Sequence, residues 1–291
     1  MARRPGRTVL ALAVPLVLFI LYGMARVSAP VSALGLVFHE PEAFAVVAAV
    51  LSLVGAVLLF VPRIELAVGH VMAGGSRPPE PEERERVSGL LAPVAERAGI
   101  DPGRLIVRVL DDPRANASAG AAHLLYVTTG ALWLDDEGLE AILAHELGHH
   151  RGLHPVLTAV VWWLSLPGVA LAAVYRWLRN AVGALGNRLG TIGRLLAVPL
   201  LVLLWVWQLT VMWIFWLGEL LSRRAARIAE FEADASAARW GYGAELADAL
   251  ERLGAAKPER RGLLARLRAD HPPTPERVAR LREHAALAAP A

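Results

Sequence analysis

Four stretches of this chain, Thr8–Ala25, Ala43–Pro62, Pro155–Tyr175 and Leu195–Gly218, carry no charged residue. An α-helix needs about 20 apolar residues to cross the hydrocarbon layer of a bilayer, and all four are near that length or longer. A mean hydropathy of +0.44 is too high for an ordinary domain in water and points the same way. The expected frame is therefore a four-span membrane helical bundle. Pro167, Gly168 and Pro199 fall inside the later runs, where neighbouring groups re-satisfy the backbone of a membrane helix. The first run contains Pro15 and is preceded by Arg3, Arg4 and Arg7 and followed by Val27-Ser28-Ala29, so a signal peptide is its alternative reading.

Basic residues beside spans mark the cytoplasmic side. Arg3, Arg4 and Arg7 put the N-terminus there, and Arg63, Arg77, Arg151, Arg223, Arg224 and Arg227 agree. Arg176, Arg179, Arg188 and Arg194, between the third and fourth runs, do not. The expectation is a multi-pass protein of the plasma or inner membrane, in contact with the lipid bilayer, with its polar parts in the cytoplasm.

Segmentation follows from the runs. Residues 1–63 hold two N-terminal spans, 64–154 a first polar part, 155–218 a hydrophobic hairpin and 219–291 a second polar part. Neither polar part alone makes a generous core, so the two are expected to combine into one domain. The fold class is mainly α with a small β-sheet (α+β). Glu82–Ala98 has helical periodicity and stops at Gly99; Leu105–Leu110 and Leu124–Thr128 read as strands. Asp135 and Asp136 offer caps for a helix through AILAHELGHH, the fourth run continues as helix to about Trp240, and short helices are expected near 243–254 and 274–287. Gly74, Gly75, Ser76 and Arg77 with Pro78, Pro79 and Pro81 read as a linker.

Cysteine is absent, which excludes disulfides, thiol nucleophiles and cysteine-held metals. A metal would have to be held by His and carboxylates. The net charge is only +3 and no basic cluster is interleaved with exposed aromatics, so a nucleic-acid partner is not expected.

Residues 145–149 read HELGH. On a helix His145 and His149 project from one face a turn apart, where two imidazoles can hold one Zn²⁺, and Glu146 between them serves as the base acting on water. Chance gives roughly 0.02 such matches in a chain of this composition, so coincidence is a poor explanation. Catalytic zinc needs a third protein ligand and an open position. His154 is near in sequence, but the longer HExxHxxGxxH pattern would put its last His at Pro155. Glu230 and Asp234 are a better pair: four apart on a helix, Glu230 can ligate while Asp234 orients a ligand imidazole. Without the HELGH motif, an ordinary charged helix face would be the favoured account of them.

These pieces together resemble the HtpX-like family of membrane zinc metallopeptidases, the HExxH gluzincin-type group that also includes the CAAX prenyl-protein endopeptidases. NASAG at 116–120 looks like the family's Asn-Ala segment on an edge strand, HELGHH at 145–150 like its metal helix, and EFEAD at 230–234 like its E-x-x-A-D. HPPTPERVARL at 271–281 is similar to its C-terminal His-Pro…Arg element. The resemblance covers roughly 80–285. It implies one Zn²⁺ per chain held by His145, His149 and Glu230, with Glu146 as catalytic base. It further implies substrate main chain bound at Asn116, Ala117 and Ser118, an oxyanion donor at His271, and Arg277 bracing Asp234 or the metal-site helices.

The implied function is a membrane-integrated zinc metalloendopeptidase acting on protein or peptide substrates, membrane proteins among them, in quality control. Two other classes compete with it. A signal transducer built on a protease domain would need a sensor domain, and none is visible. A catalytically silent scaffold with structural zinc would have no use for Glu146.

Overall fold

The structure, a computed structural model, describes residues 41–152, 154–254 and 274–288. The Thr8–Ala25 run and His271 lie outside the described residues, as do the side chains at 164–172 and 210–216. The described parts divide into two compact units, one drawn from 57–159 and 222–288, the other from 41–56 and 160–221.

The second unit is built from three helices: α1 (Pro41–Leu58), most of α5 (His154–Arg188) and the first part of α6 (Gly190–Arg239). Gly190, at φ +71°, occupies the left-handed conformation between α5 and α6. At Gly186 a Cβ would stand 2.8 Å from the Ala197 Cβ, so the two helices approach backbone to backbone. Among the described residues no helix is long and apolar enough to cross a membrane. The four-span bundle expected from the sequence is therefore not part of the fold as described. As expected from the sequence, the helix of the fourth run does not end with the run: α6 continues through 218 and stops at Arg239.

The first unit holds α2 (Pro62–Met72), α3 (Pro81–Ala98), strands β1 (Ile106–Leu110), β2 (Ala117–Ala119) and β3 (Leu124–Thr128), then α4 (Asp136–Arg151), α7 (Gly243–Gly254) and α8 (Thr274–Ala288). α3 begins with a capping box between Glu80 and Glu83 and ends on Gly99 at φ +65°. Asp135 caps α4 by accepting the N–H of Gly138 at 2.9 Å. The sheet order is β1-β3-β2, with β1 parallel and β2 antiparallel to β3, which leaves the short β2 at an edge.

Val87, Leu91 and Val94 of α3, Leu125 and Val127 of β3, and Leu139, Leu143 and Leu147 of α4 meet Leu246 of α7 and Leu281 of α8 in one core. Burying each such side chain contributes about 1.5–3 kcal/mol relative to leaving it in water. That core fixes α4 against the sheet.

The segment from Gly74 to Pro81 is not the slack linker its composition suggests. Arg77 N–H donates to Val109 O at 2.9 Å and Val109 N–H returns the bond at 2.8 Å. The Arg77 guanidinium grips both oxygens of Glu83 at 2.6 and 2.7 Å. The unpaired edge of β1 supplies the partner, which local composition cannot reveal.

Candidate metal centre

α4 and the last part of α6 cross at small residues. Ala225, Ala229, Ala233 and Ala237, spaced by four along α6, are all buried and form one ridge. A Cβ at Gly148 would meet the Ala233 Cα at 2.8 Å, so α4 needs a glycine at this point. The neighbours of these contact points are the candidate residues read from the sequence: His149 beside Gly148, and Glu230 and Asp234 beside Ala229 and Ala233.

His145, His149 and Glu230 are buried, and one donor atom from each falls within 4.8 Å of the others. His145 Nε2 lies 3.6 Å from Glu230 Oε2 and His149 Nε2 lies 3.4 Å from Glu230 Oε1. Ligands bound tetrahedrally to zinc at about 2.0–2.1 Å stand about 3.3 Å apart, so the observed separations are those of a closed grip. His145 Nδ1 sits 2.9 Å from Asp234 Oδ1, which commits Nδ1 as the protonated nitrogen and leaves Nε2 for the metal side.

Arg277, from α8, joins the two acids. Its Nε and NH2 donate to Asp234 Oδ2 and Oδ1 at 2.8 and 2.7 Å, and NH1 lies 2.9 Å from Glu230 Oε2. Burial pushes the Asp234 carboxyl up, but Arg277 and His145 more than offset this and hold it below the usual carboxylate range. For His149 burial pulls downward, and Glu230 and Glu146 push upward by more, so the ring favours positive charge. The buried charges explain why. Glu146, Glu230 and Asp234 are three carboxylates against the single guanidinium of Arg277. With neutral imidazoles, a divalent cation is what balances them. The donor set, its spacing and its charge all fit zinc.

Glu146 links this centre to the sheet. Its Oε2 accepts the N–H of Ala119 at 2.7 Å. On β2, Asn116 O accepts from Thr128 N at 3.0 Å and Gly120 N donates to Leu124 O at 2.7 Å, so the even-numbered main chain is turned toward β3. Ala117 and Ala119 therefore turn their N–H and C=O outward, and Ala119 does so toward Glu146. Asn116 stands just before the strand, with its N–H donated to Thr128 Oγ1 at 2.8 Å. Ser118 is exposed on the strand.

His150 departs from the metal face: its Nε2 is 3.1 Å from Leu124 O, an atom that can only accept. Burial holds this imidazole below its ordinary range, neutral and protonated at Nε2. It ties α4 to β3. Glu65 of α2 was not singled out by the sequence, yet it is buried and accepts three main-chain N–H groups at 122–124. The only local signals for its helix are Pro62 at the first turn and an acid just after it.

The profile of peptidase family M48 matches residues 81–285, a span that contains the whole of this centre. The chain belongs to peptidase family M48. It is an HtpX-like member: a protease HtpX homolog from Tropheryma whipplei (strain TW08/27) is 31% identical over 201 residues, covering 61% of this chain and 65% of that relative. The match thus spans just under two thirds of the relative's length. The family is one of peptidases, and the chain's own His-His-Glu group is one that could hold a metal ion.

Proposed function

We propose that this M48 protein is a zinc-dependent endopeptidase seated in a membrane, cleaving protein substrates whose main chain lies along the outer edge of β2. The observation that carries the reading is the 2.7 Å bond between Ala119 N and Glu146 Oε2. It puts the outward edge of the strand and the only acid inside the HELGH motif at one point. A peptide added to that edge would pair with Ala117 and Ala119 through main-chain bonds that demand little of side chains. Its scissile bond would then pass beside Glu146.

Zinc, held by His145, His149 and Glu230, would supply the Lewis acidity that polarises the scissile carbonyl and makes water a nucleophile near neutral pH. The chain's own residues do the rest. Glu146 takes a proton from the attacking water at its carboxylate and gives it to the leaving amine. Asp234 holds His145 in one tautomer through Nδ1, and Arg277 holds Asp234. His271, by resemblance, donates to the oxyanion as the carbonyl carbon becomes tetrahedral.

Exposed side chains support the membrane seat. Leu51 and Leu53 on α1, and Leu195, Leu196, Leu203 and Trp205 on α6, are all more than half exposed. An apolar surface of that size is not left facing water in a soluble protein. With the basic flanks of the runs, this favours a multi-pass protein of the plasma or inner membrane with its centre on the cytoplasmic side. Backbone-directed binding suits damaged or misassembled membrane proteins as substrates.

The test is cleavage of an unfolded model protein by the detergent-purified full chain and its Glu146→Gln variant, with zinc measured in both. Zinc in both and cleavage only by the unaltered protein is the expected result. Equal cleavage by the variant removes Glu146 from the chemistry. No cleavage by either, with zinc in both, overturns the peptidase reading in favour of a silent scaffold.

A further inference from the structure

Glu65 takes no part in the chemistry above, yet it is one of the most firmly held groups in the molecule. It is 3% exposed on α2. Its Oε1 accepts the N–H groups of Ala122, His123 and Leu124 at 2.8, 2.9 and 3.3 Å, and its Oε2 lies 2.7 Å from His123 Nδ1. A carboxylate is withdrawn from water only where donors replace the water it loses. Here almost all of those donors come from the main chain of one turn.

That turn joins β2 to β3. Gly120 N–H closes it on Leu124 O at 2.7 Å, and a Cβ at Gly120 would stand 2.4 Å from the Leu124 Cβ, so the turn has little room to adjust. Its remaining groups are tied as well. His123 O accepts from Ile106 N at 2.7 Å, and Leu124 O faces His150 Nε2 at 3.1 Å. α2 is pressed against the same strand, since a Cβ at Gly69 would meet the Tyr126 hydroxyl at 2.2 Å.

β2 itself is only three residues long and has one strand neighbour. So short an edge strand has few bonds of its own to set its height and register. Its placement is decided at its ends. At one end Thr128 holds Asn116; at the other, three residues from Ala119, Glu65 holds the turn.

We propose that Glu65 is a positioning residue for the peptide-binding edge: by fixing the turn at 120–124 it sets Ala117–Ala119 beside Glu146. This rests on the reading of β2 as the substrate edge. Glu65 touches neither the ligand set nor Glu146, so it governs how well a substrate main chain is gripped rather than how fast the bond is cut.

The experiment uses the zinc-loaded full chain in detergent with Glu65→Ala and Glu65→Gln, an unstructured protein as substrate, and amide hydrogen exchange without substrate. Glu65→Ala removes several charge-assisted bonds, so KM is expected to rise about tenfold or more while kcat stays within about twofold. Zinc content should not change. Exchange at Ser118, Ala119, Gly120 and 122–124 should accelerate while the amides of α4 keep their rates. Glu65→Gln keeps one acceptor oxygen and should fall between the two. Unchanged exchange along β2 overturns the proposal, and so does a loss of kcat or zinc at constant KM. Where the Ala variant does not fold, Glu65→Gln and His123→Ala give the same readouts. An unaltered protein that cleaves nothing defeats the peptidase reading alone, because the exchange pattern still decides whether Glu65 sets β2.

Discussion

Gly148→Ala changes one hydrogen to a methyl group, and its effect can be worked out from the helix crossing. The new Cβ would meet Ala233 Cα at 2.8 Å, its O at 2.9 Å and its Cβ at 3.2 Å. Two of these are backbone atoms of α6, which no rotamer change can move. Ordinary contact begins near 3.4 Å, so the helices have to separate by about 0.6 Å. Overpacking of this kind costs about 1–3 kcal/mol. The substitution also gains about 0.5–1 kcal/mol, because alanine suits a helix interior better than glycine. The net loss of stability is therefore about 0–2.5 kcal/mol, modest on its own.

The metal centre amplifies that shift. His149 adjoins Gly148, and Glu230 is three residues from Ala233 on the moving helix. Their 3.4 Å separation would open toward about 4 Å, beyond the roughly 3.3 Å that a tetrahedral zinc spans. Zinc affinity should fall about 10–100-fold, the scale of loss when ligands are mis-oriented. The assay is zinc titration against a competing chelator in detergent, with thermal midpoints recorded with and without zinc. Gly89→Ala is the internal control, since nothing lies within 4 Å of a Cβ there. It should gain about 0.4–1 kcal/mol and leave zinc affinity alone. If Gly148→Ala behaves like Gly89→Ala, the close crossing of α4 and α6 is not what holds the ligands together.

Arg277→Met leaves Glu230 and Asp234 buried without their shared cation and should cost about 3–5 kcal/mol in urea unfolding, and combining it with Asp234→Asn should cost less than the sum of the two single losses. Glu83→Gln should lower the unfolding midpoint at pH 7 by about 1 kcal/mol equivalent and not at all in acid. Arg77 holds the Glu83 carboxyl below its usual range, so its stabilisation is complete above about pH 4.3 and is lost as pH falls through the lowered folded value. Thr128→Val keeps the shape but removes the oxygen that accepts from Asn116 N and Ala131 N, and should destabilise by about 1–3 kcal/mol in the same measurement.

What the sequence made legible was whatever announces itself within one element. The four-residue spacing of His145 and His149, the Asp135 cap, the stop at Gly99 and the short apolar runs of β1 and β3 are local patterns with one physical reading each. The features that stayed hidden depend on a partner distant in the chain. α2 is an 11-residue helix wedged between an apolar run and a Gly-Gly pair, and Glu65 makes sense only once the turn at 120–124 is beside it. Arg77 reads as linker until the free edge of β1 comes to it. β2 is too short to show a period of two, and its edge position was inferred from resemblance rather than from pattern. Gly148 looks like a weak point in a helix until Ala233 is found across from it.

Glu230 and Asp234 illustrate how an ambiguous pair becomes decidable. Taken without the HELGH motif they are better explained by a charged helix face, and even their burial with Arg277 would suit a plain structural ion cluster. The orientation of His145 separates the two cases. Its Nδ1 is taken by Asp234 at 2.9 Å while its Nε2 is turned toward Glu230 at 3.6 Å, too long for a hydrogen bond. An ion cluster selected only for stability would close that second gap. His149 Nε2 stands 3.4 Å from the other oxygen of the same carboxylate. Two imidazole nitrogens converging on one carboxylate at 3.4 and 3.6 Å, near the separation of ligands around a shared ion, frame a space between donors. The bracing contacts from Asp234 and Arg277 fall instead at 2.7–2.9 Å. Tight bonds behind the ligands and a wider spacing in front of them are the pattern of a site organised around a cation.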